Sequence, residues 1–329
     1  MERKLSVIGV SAGREDGNSE ILLKEALAAV EEEGIEVRFL RLKDYYIKPC
    51  EGCELCTIML RTGQPSRCKF SWDSDDYKFL MDQIVTADGI ILSAPVYNLM
   101  PPGYLTTLLN RSHCIGIPWL KKETRKVAAT ISVGGSDWLS LAAPVLNFTA
   151  TELLGSQMNL ADYMVVGGCP GKGMVALHPE YLERARTLGK NLAAEMGNPP
   201  SSERCNYHGE SMGACPICHS DLLILREGRL ACGICDYCGD PVMEQGKIKA
   251  IRWDGGIERT RWSDMITQAH TKGEHPTAET KENGQYLLEQ EEQQRIAQVT
   301  ARARDYLKPI RPGTSVCLMK DGKTSNEKS

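Results

Sequence analysis

The sequence contains no long apolar run. No stretch approaches the roughly 18 consecutive apolar residues that a membrane-spanning helix needs, and residues 1–10 have the pattern of a first strand rather than of an export segment. Basic residues are not in excess either, because 39 Lys+Arg oppose 43 Asp+Glu and leave a net charge of -4. These absences predict a cytoplasmic protein with no membrane partner, and they argue against a nucleic-acid partner.

Two familiar catalytic patterns are also missing. The loop after the first predicted strand has neither the G-x-G-x-x-G spacing of dinucleotide-binding loops nor the Lys-Ser/Thr of a P-loop. The six histidines suggest no Ser-His-Asp or Cys-His nucleophile. The sequence therefore names no catalytic residue, and it directs attention to cofactors and metals.

The chain does contain enough apolar material for a core, since 42% of its 329 residues are hydrophobic. Between residues 4 and 196, short runs rich in Val, Ile and Leu alternate with helical patterns. This alternation predicts an α/β fold with a doubly wound, five-stranded parallel sheet. The predicted strands are Leu5–Val10, Glu36–Leu42, Gly89–Ala94, Lys126–Val133 and about Met158–Val166. The second is the least apolar, which favours an edge position.

The helical patterns and the breaks between them predict the domain organisation. The first helix should begin after Asn18-Ser19, either of which can cap it. The other helices are predicted at about Tyr77–Thr86, Gly103–Arg111, Leu139–Leu154 and Pro179–Met196. Domain 1–196 carries a Cys-rich insert at 48–76, and it is followed by a linker at 197–212, a Cys-rich module at 213–256 and a tail at 257–329 with a helix near 277–307.

Three loops of small residues follow predicted strands, where open parallel sheets bind ligands. The first runs from Ser11 to Glu20, and its backbone N–H groups, its hydroxyls and Arg14 at a helix start predict a cradle for a monophosphate. The second is Ser93-Ala94-Pro95-Val96-Tyr97-Asn98, and the third contains Gly134-Gly135. Because these loops share one edge of the sheet, we expect them to form one ligand site.

In combination, these loops resemble those of the flavodoxin-like NAD(P)H-dependent FMN reductases. The resemblance covers roughly residues 3–196 and rests on an S-x-x-R-x-x-x-N-[ST]-E loop, an S-x-P-V-Y-N turn and a V-G-G loop. It implies a flavodoxin-like sheet that binds FMN, with NAD(P)H as an electron donor. The residues that it implies near the FMN phosphate are Ser11, Arg14, Asn18 and Ser19, and those near the isoalloxazine ring are Pro95, Val96, Tyr97, Asn98, Gly134 and Gly135.

Thirteen cysteines are many for a cytoplasmic protein, and their spacing suggests metal or redox chemistry rather than disulfides. The insert carries Cys50, Cys53 and Cys56 at two C-x2-C steps, then eleven residues, then Cys68. Four thiolates at these positions can surround an iron–sulfur cubane, so we predict a [4Fe–4S] cluster, with zinc or free thiols as the alternatives. The insert resembles the compact cysteine motif of iron–sulfur flavoproteins, a branch of the same reductases, with a longer final gap.

A second group of cysteines consists of Cys215, Cys218, Cys232 and Cys235. It forms two C-x2-C pairs separated by thirteen residues that include a Gly-containing hairpin turn. This spacing predicts a zinc ribbon, in which the metal holds together a module too small for its own core. Cys238 can replace one member, because Cys235-Asp236-Tyr237-Cys238 is an equally good pair. A rubredoxin-type iron site is the alternative to zinc.

Together, these features predict an FMN-dependent electron-transfer oxidoreductase. We expect electrons to pass between NAD(P)H or a low-potential, ferredoxin-like donor, the cluster, and a small-molecule or protein acceptor. The family resemblance implies a homodimer or homotetramer. Two alternatives stay open: a cluster-free NAD(P)H:FMN or quinone reductase, and a redox-sensing module that binds nucleic acid or protein.

Overall fold

The computed structural model describes residues 4–115, 126–154, 159–196, 205–209, 214–255, 281–283, 285–306, 317–318 and 324–325. Up to Met196, strands and helices alternate. The strands are β1 (Ser6–Ser11), β2 (Glu36–Arg41), β3 (Gly89–Pro95), β4 (Val127–Val133) and β5 (Leu160–Val166). The helices are α1 (Asn18–Glu32), α2 (Leu55–Arg61), α3 (Tyr77–Val85), α4 (Gly103–Leu109), α5 (Ala142–Leu154) and α6 (Pro179–Met196).

The five strands form one parallel sheet in the order β2-β1-β3-β4-β5. β1, β3 and β4 are buried along nearly their whole length, because helices cover both faces and branched apolar residues fill both sides. β2 lies at one edge and leaves several positions partly exposed. The predicted five-stranded sheet and the predicted edge position of the second strand are both confirmed.

Two hydrophobic cores lie on opposite faces of this sheet. On one face, residues such as Leu27 of α1 and Leu192 of α6 pack against the strands. On the other face, α3, α4 and α5 contribute residues such as Leu80 and Leu146. The helices therefore fix the strands from both sides, and they leave the loops at the carboxyl edge free to form a site.

Several predicted helix boundaries were wrong by a few residues. The N-cap of α1 is Gly17, and no side chain caps this helix. α4 ends at Leu109 rather than Arg111. α5 begins at Ala142 rather than Leu139, because Leu139 lies in a turn in which its carbonyl accepts from Ala142 N at 2.9 Å.

The C-terminal helix is shorter than predicted. It forms α7 (Gln290–Tyr306), whereas residues 281–283 and 285–289 of the predicted 277–307 are not helical. Asn283 Oδ1 accepts from Gln285 N at 3.1 Å, and such local side-chain bonds compete with helix formation. Glu292 Oε2 then accepts from Glu289 N at 2.9 Å, which stabilises the start of α7. Residues 277–280 and 307 lie outside the described residues.

Residues 214–255 form a separate four-stranded antiparallel sheet in the order β6-β7-β8-β9. Glu227 and Gly228 both have positive φ values and make the tight turn of the first hairpin. The strands are β6 (Leu223–Arg226), β7 (Arg229–Cys232), β8 (Cys238–Glu244) and β9 (Lys247–Trp253), and a two-residue pair, β10 (Cys317–Leu318) and β11 (Thr324–Ser325), lies near the C-terminus. No helix among the described residues has the length and apolar character to cross a membrane.

Part of the predicted linker is docked rather than free. Within 205–209, His208 N donates to Ala161 O at 2.8 Å, and Cys205 N donates to Asn159 Oδ1 at 3.2 Å. The ring of Tyr207 stacks on His219 of the Cys-rich module with 3.8 Å between ring centroids. This segment therefore joins the module to the end of the parallel sheet. Residues 197–204 and 210–212 lie outside the described residues.

Gly189 sets how closely α6 approaches α1. A Cβ at this position would lie 2.2 Å from the carbonyl oxygen of Ala26. We expect Gly189→Ala to lower the free energy of unfolding by up to about 2 kcal/mol, because an overpacking cost of about 1 to 3 kcal/mol is offset by a gain of about 1 kcal/mol in helix propensity. Urea denaturation measures the change. Lys190→Ala, at the exposed neighbouring position, should change stability by less than about 0.5 kcal/mol.

Candidate cofactor and metal sites

A cavity of about 340 Å³ opens where β1, β3, β4 and β5 end. Its position matches the crevice in which doubly wound sheets bind ligands. One end is polar and lies at the start of α1, and the other end is apolar. The lining residues are Arg14, Gly17, Asn18, Ser19, Pro95, Val96, Tyr97, Val133, Gly135, Cys169 and Pro170.

The loop between β1 and α1 forms the polar end. Ala12 N donates to Ser93 O at 2.7 Å, and Gly13 N donates to Ser11 Oγ at 3.1 Å. A Cβ on Gly13 would lie 2.4 Å from Ser19 Oγ, so the loop needs glycine where it crosses the start of the helix. Arg14 and the first turn of α1 therefore face the cavity together, and both favour an anion.

Ser11 and Asn18 are already engaged by the protein. Ser11 is fully buried beneath the loop and is not among the lining residues. Asn18 lines the cavity, but its Nδ2 donates to the carbonyls of Cys169 and Gly171, both at 2.8 Å, and its Oδ1 accepts from Val175 N at 3.3 Å. The visible contribution of Asn18 is thus to hold the loop after β5 against the loop after β1.

The apolar end is a shelf made by the turn after β3. Tyr97 and Met100 pair through two backbone hydrogen bonds of 2.8 and 3.1 Å. Between them, Asn98 and Leu99 both have positive φ values of 49° and 71°. Leu99 adopts this conformation without the freedom of glycine, and backbone strain of this kind is common at ligand sites. Pro95, Val96 and the 56% exposed Tyr97 form the wall, whereas Asn98 is not among the lining residues.

The two glycines predicted after β4 have different positions. A Cβ on Gly135 would lie 3.1 Å from Pro170 Cα, so this lining residue permits two loops to approach each other. Gly134 does not line the cavity, and a Cβ there would lie 2.3 Å from Leu139 Cδ2. Gly134 therefore makes room for the turn that precedes α5.

Sequence reasoning missed the fourth loop of the site. Cys169 and Pro170 line the cavity from the segment that follows β5, and Gly17 and Val133 complete the wall. A signal was available, because the fifth strand is followed by Gly167-Gly168-Cys169-Pro170-Gly171. This run of small residues at a strand end has the same character as the other three loops.

A buried ion pair anchors the first turn of α1 beside the polar end of the cavity. Glu20 is fully buried, and its carboxylate accepts from Arg41 Nε at 2.7 Å and Nη2 at 2.9 Å. Lys24 Nζ lies 2.8 Å from the same carboxylate. The hydrogen bonds from Arg41 outweigh the effect of burial and lower the pKa of Glu20 to about 2. The carboxylate therefore stays charged at neutral pH and ties α1 to β2.

The four insert cysteines surround a second, smaller pocket. Gly52 and Glu54 have positive φ values of 64° and 59°. The backbone turns at these two residues, and the successive thiols face the same pocket. The pocket is lined by Cys50, Glu51, Cys53, Glu54, Cys56, Cys68, Lys69, Phe70, Asn110, Arg111 and Cys114. Burial raises the pKa of the Cys56 thiol, and it raises that of Cys114 to about 12. Cys114 was not predicted to lie at this pocket.

Cationic groups surround this cysteine pocket. The charged groups of Lys48, Lys69 and Arg111 lie 5.3, 5.2 and 5.3 Å from the centre of the Phe70 ring. Arg111 pairs with the fully buried side chain of Asp75. Burial acts to lower the pKa of Arg111. The hydrogen bond with Asp75 and the proximity of Cys68 together outweigh burial and raise this pKa. The pocket therefore favours an anionic group.

The second group of cysteines converges on a single point. Sγ of Cys215, Cys218, Cys232 and Cys235 all lie within 4.8 Å of one another, and all four residues are buried. The Cys215–Cys235 and Cys218–Cys232 sulfur pairs are each 3.4 Å apart, close to the separation of about 3.8 Å around a tetrahedral metal with 2.3 Å bonds. Cys238 is only half-buried and its Sγ donates to Asp236 O at 3.3 Å, so the structure groups Cys232, rather than Cys238, with the other three cysteines.

Comparisons with known proteins agree with this geometry. A model of the NADPH-dependent FMN reductase family matches residues 4–157. An iron–sulfur flavoprotein of Methanocaldococcus jannaschii is 32% identical over 196 residues, which cover 57% of this chain and 96% of that protein. The chain belongs to the iron–sulfur flavoprotein family.

Two further similarities extend over more of the chain. A flavone synthase of Aspergillus candidus is 27% identical over 257 residues, which cover 70% of this chain and 76% of that protein. A solved structure of a flavone reductase covers 94% of this chain and 100% of its own, with a TM-score of 0.62 and 22% identity. At that identity the structural likeness supports the fold alone, but it does so for nearly the whole chain.

The cavity at the carboxyl edge of the parallel sheet fits FMN. Arg14 and the start of α1 offer a positive, donor-rich end for a phosphate, and Pro95, Val96 and Pro170 offer apolar walls for a flat ring. Gly135 permits the close approach of Pro170, which completes one of these walls. Seven of the ten residues predicted to lie near the flavin line this one cavity.

The Glu20 ion pair should make the stability of the flavoprotein depend on pH. Because the pKa of Glu20 falls from 4.5 to about 2 on folding, its stabilisation is fully present above pH 4.5 and is lost as the pH falls towards 2. We expect Glu20→Gln to cost about 3 kcal/mol at pH 7, and progressively less below pH 4.5. Urea denaturation at several pH values measures this.

Glu15→Gln is the matched control for that series. Glu15 contacts the same Arg41 at 3.5 Å, but its side chain is 67% exposed. Its loss should cost less than about 1 kcal/mol at any pH. Equal losses in the two variants would contradict the role assigned to the buried carboxylate.

Metal content should distinguish Cys232 from Cys238. We expect Cys232→Ser to remove about one equivalent of metal per chain and to loosen residues 214–255, because a module this small depends on its metal. Cys238→Ser should retain the metal. Elemental analysis gives the metal content, and fluorescence of Trp253, whose ring stacks on Tyr237 at 5.6 Å between centroids, reports the folding of the module. Metal loss in Cys238→Ser, with metal retained in Cys232→Ser, would show that Cys235 and Cys238 form the second binding pair.

Proposed function

We propose that this protein is an FMN-dependent oxidoreductase. It passes electrons between NAD(P)H or a low-potential donor, a [4Fe–4S] cluster in the cysteine pocket, and a small-molecule or protein acceptor. The observation that carries this proposal is that one short helix, α4, joins the wall of the flavin cavity to the wall of the cysteine pocket.

The two sites share one stretch of chain. Tyr97 lines the flavin cavity before α4, and Asn110 and Arg111 line the cysteine pocket directly after it. The seven residues of α4 span about 10 Å at about 1.5 Å per residue. Tyr104 of α4 also donates to Ala12 O in the phosphate loop. Both sites are therefore built on one continuous stretch of chain around α4.

The distribution of sulfur atoms favours a cluster over a single ion in the insert. Among the described residues, only the cysteines of the C-terminal module bring three or more ligand atoms within 4.8 Å of one another. The insert cysteines line one pocket with a wider spacing, which suits a multi-iron group more than a tetrahedral zinc. The cations around Phe70 are compatible with either group, because a zinc ion and a cluster that are bound by four thiolates both carry net negative charge.

The bound groups supply the redox chemistry, since flavin exchanges hydride or single electrons and an iron–sulfur cluster exchanges single electrons. The chain orients them. Arg14 and the start of α1 hold the phosphate, and the shelf of Pro95, Val96 and Tyr97 shields the ring from water. In the C-terminal module we propose structural zinc, because four buried thiolates saturate a tetrahedral ion and leave it no open position.

A flat, conjugated carbonyl compound is the acceptor class that we favour. The ring of Tyr97 lines the cavity and is 56% exposed, so it offers a stacking surface at the mouth. The similarity to a flavone synthase over 70% of the chain supports the same class. For partners we propose a ferredoxin-like donor and a homodimer or homotetramer, on the basis of the family resemblance.

The decisive experiment is cofactor analysis of protein purified without oxygen, together with its Cys53→Ser variant. We expect wild-type protein to contain FMN, iron and zinc. Cys53→Ser should lose its iron and the broad absorption of the cluster while it keeps FMN and zinc, because Cys53 lines only the cysteine pocket. Cys205→Ser, outside both cysteine groups, is the control and should keep all three.

The same samples test the acceptor and the alternatives. Anaerobic oxidation of NAD(P)H is followed with a quinone and with a flavone-like enone, and enone reduction should depend on FMN. FMN and zinc without iron would support the cluster-free reductase. Zinc alone, together with binding of nucleic acid or protein, would refute the oxidoreductase and support the binding module.

A further inference from the structure

The cysteine pocket contains a cation whose hydrogen bonds are incomplete. The side chain of Arg111 is only 1% exposed. Its Nη1 donates to Lys48 O at 3.2 Å and to Asp75 Oδ2. Its Nε and Nη2 are buried and have no hydrogen-bond partner. Each unpaired buried donor costs about 1 to 3 kcal/mol, and more when it is charged, so two on one side chain point to an acceptor that belongs there.

The orientation of this guanidinium is fixed. Its plane lies between two aromatic rings, with the central carbon 5.3 Å from the centre of Phe70 and 4.2 Å from that of Tyr77. Asp75 holds one side of the group, and its own Oδ2 also accepts from Lys48 N at 2.9 Å. Nε and Nη2 form the remaining edge, which is a planar two-donor fork.

The acceptors that this fork can reach are those of the cysteine pocket. Arg111 lines the pocket together with Cys50, Cys53, Cys56 and Cys68. No carboxylate of the pocket is bonded to the fork: Asp75 is bound at Nη1, Glu51 pairs with Lys69, and Glu54 lines the pocket without a hydrogen bond to Nε or Nη2. Thiolate and sulfide are therefore the acceptors that the chemistry of the pocket supplies once iron is bound.

We propose that the Nε–Nη2 edge of Arg111 donates hydrogen bonds to sulfur atoms of the iron–sulfur group, and that it thereby positions this group and raises its reduction potential. The inference rests on the proposed function. Reduction by one electron adds a negative charge to the pocket. A fixed cation that donates to the sulfurs stabilises the reduced form more than the oxidised form, and such hydrogen bonds are a recognised means of tuning a cluster.

The test is a redox titration of anaerobically purified holoprotein and three variants, with the cluster and FMN followed in the same sample. Arg111→Lys keeps the charge and the pairing with Asp75 but removes the fork. We expect it to favour the oxidised cluster about tenfold, which is a shift of 59 mV to lower potential for a one-electron couple. The FMN couple should not move.

The other two variants separate this role from a structural one. Arg184→Lys is the control. Arg184 lies on α6 and donates to the fully buried Asp162 of β5 at 2.8 and 2.6 Å, so it is a second arginine that holds a buried aspartate. The control variant should leave both potentials unchanged. Asp75→Asn keeps the fork and removes a negative charge beside it, so the cluster potential should rise. If Arg111 and Asp75 acted only as a structural ion pair, Arg111→Lys and Asp75→Asn would move the reduction potential of the cluster in the same direction.

The outcomes separate the failure of this inference from that of the proposed function. Wild-type protein without iron would refute the cluster itself. A wild-type cluster whose potential is unchanged in Arg111→Lys would refute the inference and leave the proposed function standing. If Arg111→Lys holds too little iron for titration, Asp75→Asn decides, because an unchanged or lower potential in that variant would overturn the role of the fork.

Discussion

Parallel pairing of five buried strands is the constraint on which the rest of this structure depends. Parallel strands end at the same edge, so the loops after β1, β3, β4 and β5 must meet there. Helices that cover both faces leave that edge as the place where irregular backbone can face a ligand. Asn18 then bonds the first and last of these loops together, which turns four separate turns into one cavity.

The two groups of cysteines bring their thiolates together in different ways. In the C-terminal module, the β6–β7 hairpin brings the two C-x2-C pairs together so that four buried sulfurs lie at one point, and little else forms the core of that module. In the insert, the sulfurs line a wider pocket whose wall belongs to the flavodoxin-like domain. The Arg111–Asp75 pair is buried at this wall, where desolvation makes an unpaired charge costly. The electrostatics of the pocket therefore depend on the domain and not on the insert alone.

The fold could be predicted from the sequence because its signals are local and repeated. Runs of Val, Ile and Leu that alternate with helical patterns leave few arrangements other than a covered parallel sheet, and the polar second strand indicates its own place at the edge. The candidate site was predictable where a residue type carries its chemistry with it, as for Arg14, Tyr97 and Gly135. Cys169 and Pro170 were missed although their loop is also rich in small residues, because the sequence does not record that Asn18 bonds this loop to the one after β1.

The sequence by itself determined the parallel sheet, the three recognised loops and the two sets of cysteines, because spacing and side-chain chemistry are properties of the chain. Only the tertiary structure decided that Ser11 is buried below the cavity, that Asn18 holds a loop, that Cys232 rather than Cys238 joins the tight group, and that Arg111 faces the insert cysteines. These outcomes depend on distances between residues far apart in the chain. Such distances are set by the packing of α1, α4 and α6 on the sheet, which no local pattern records.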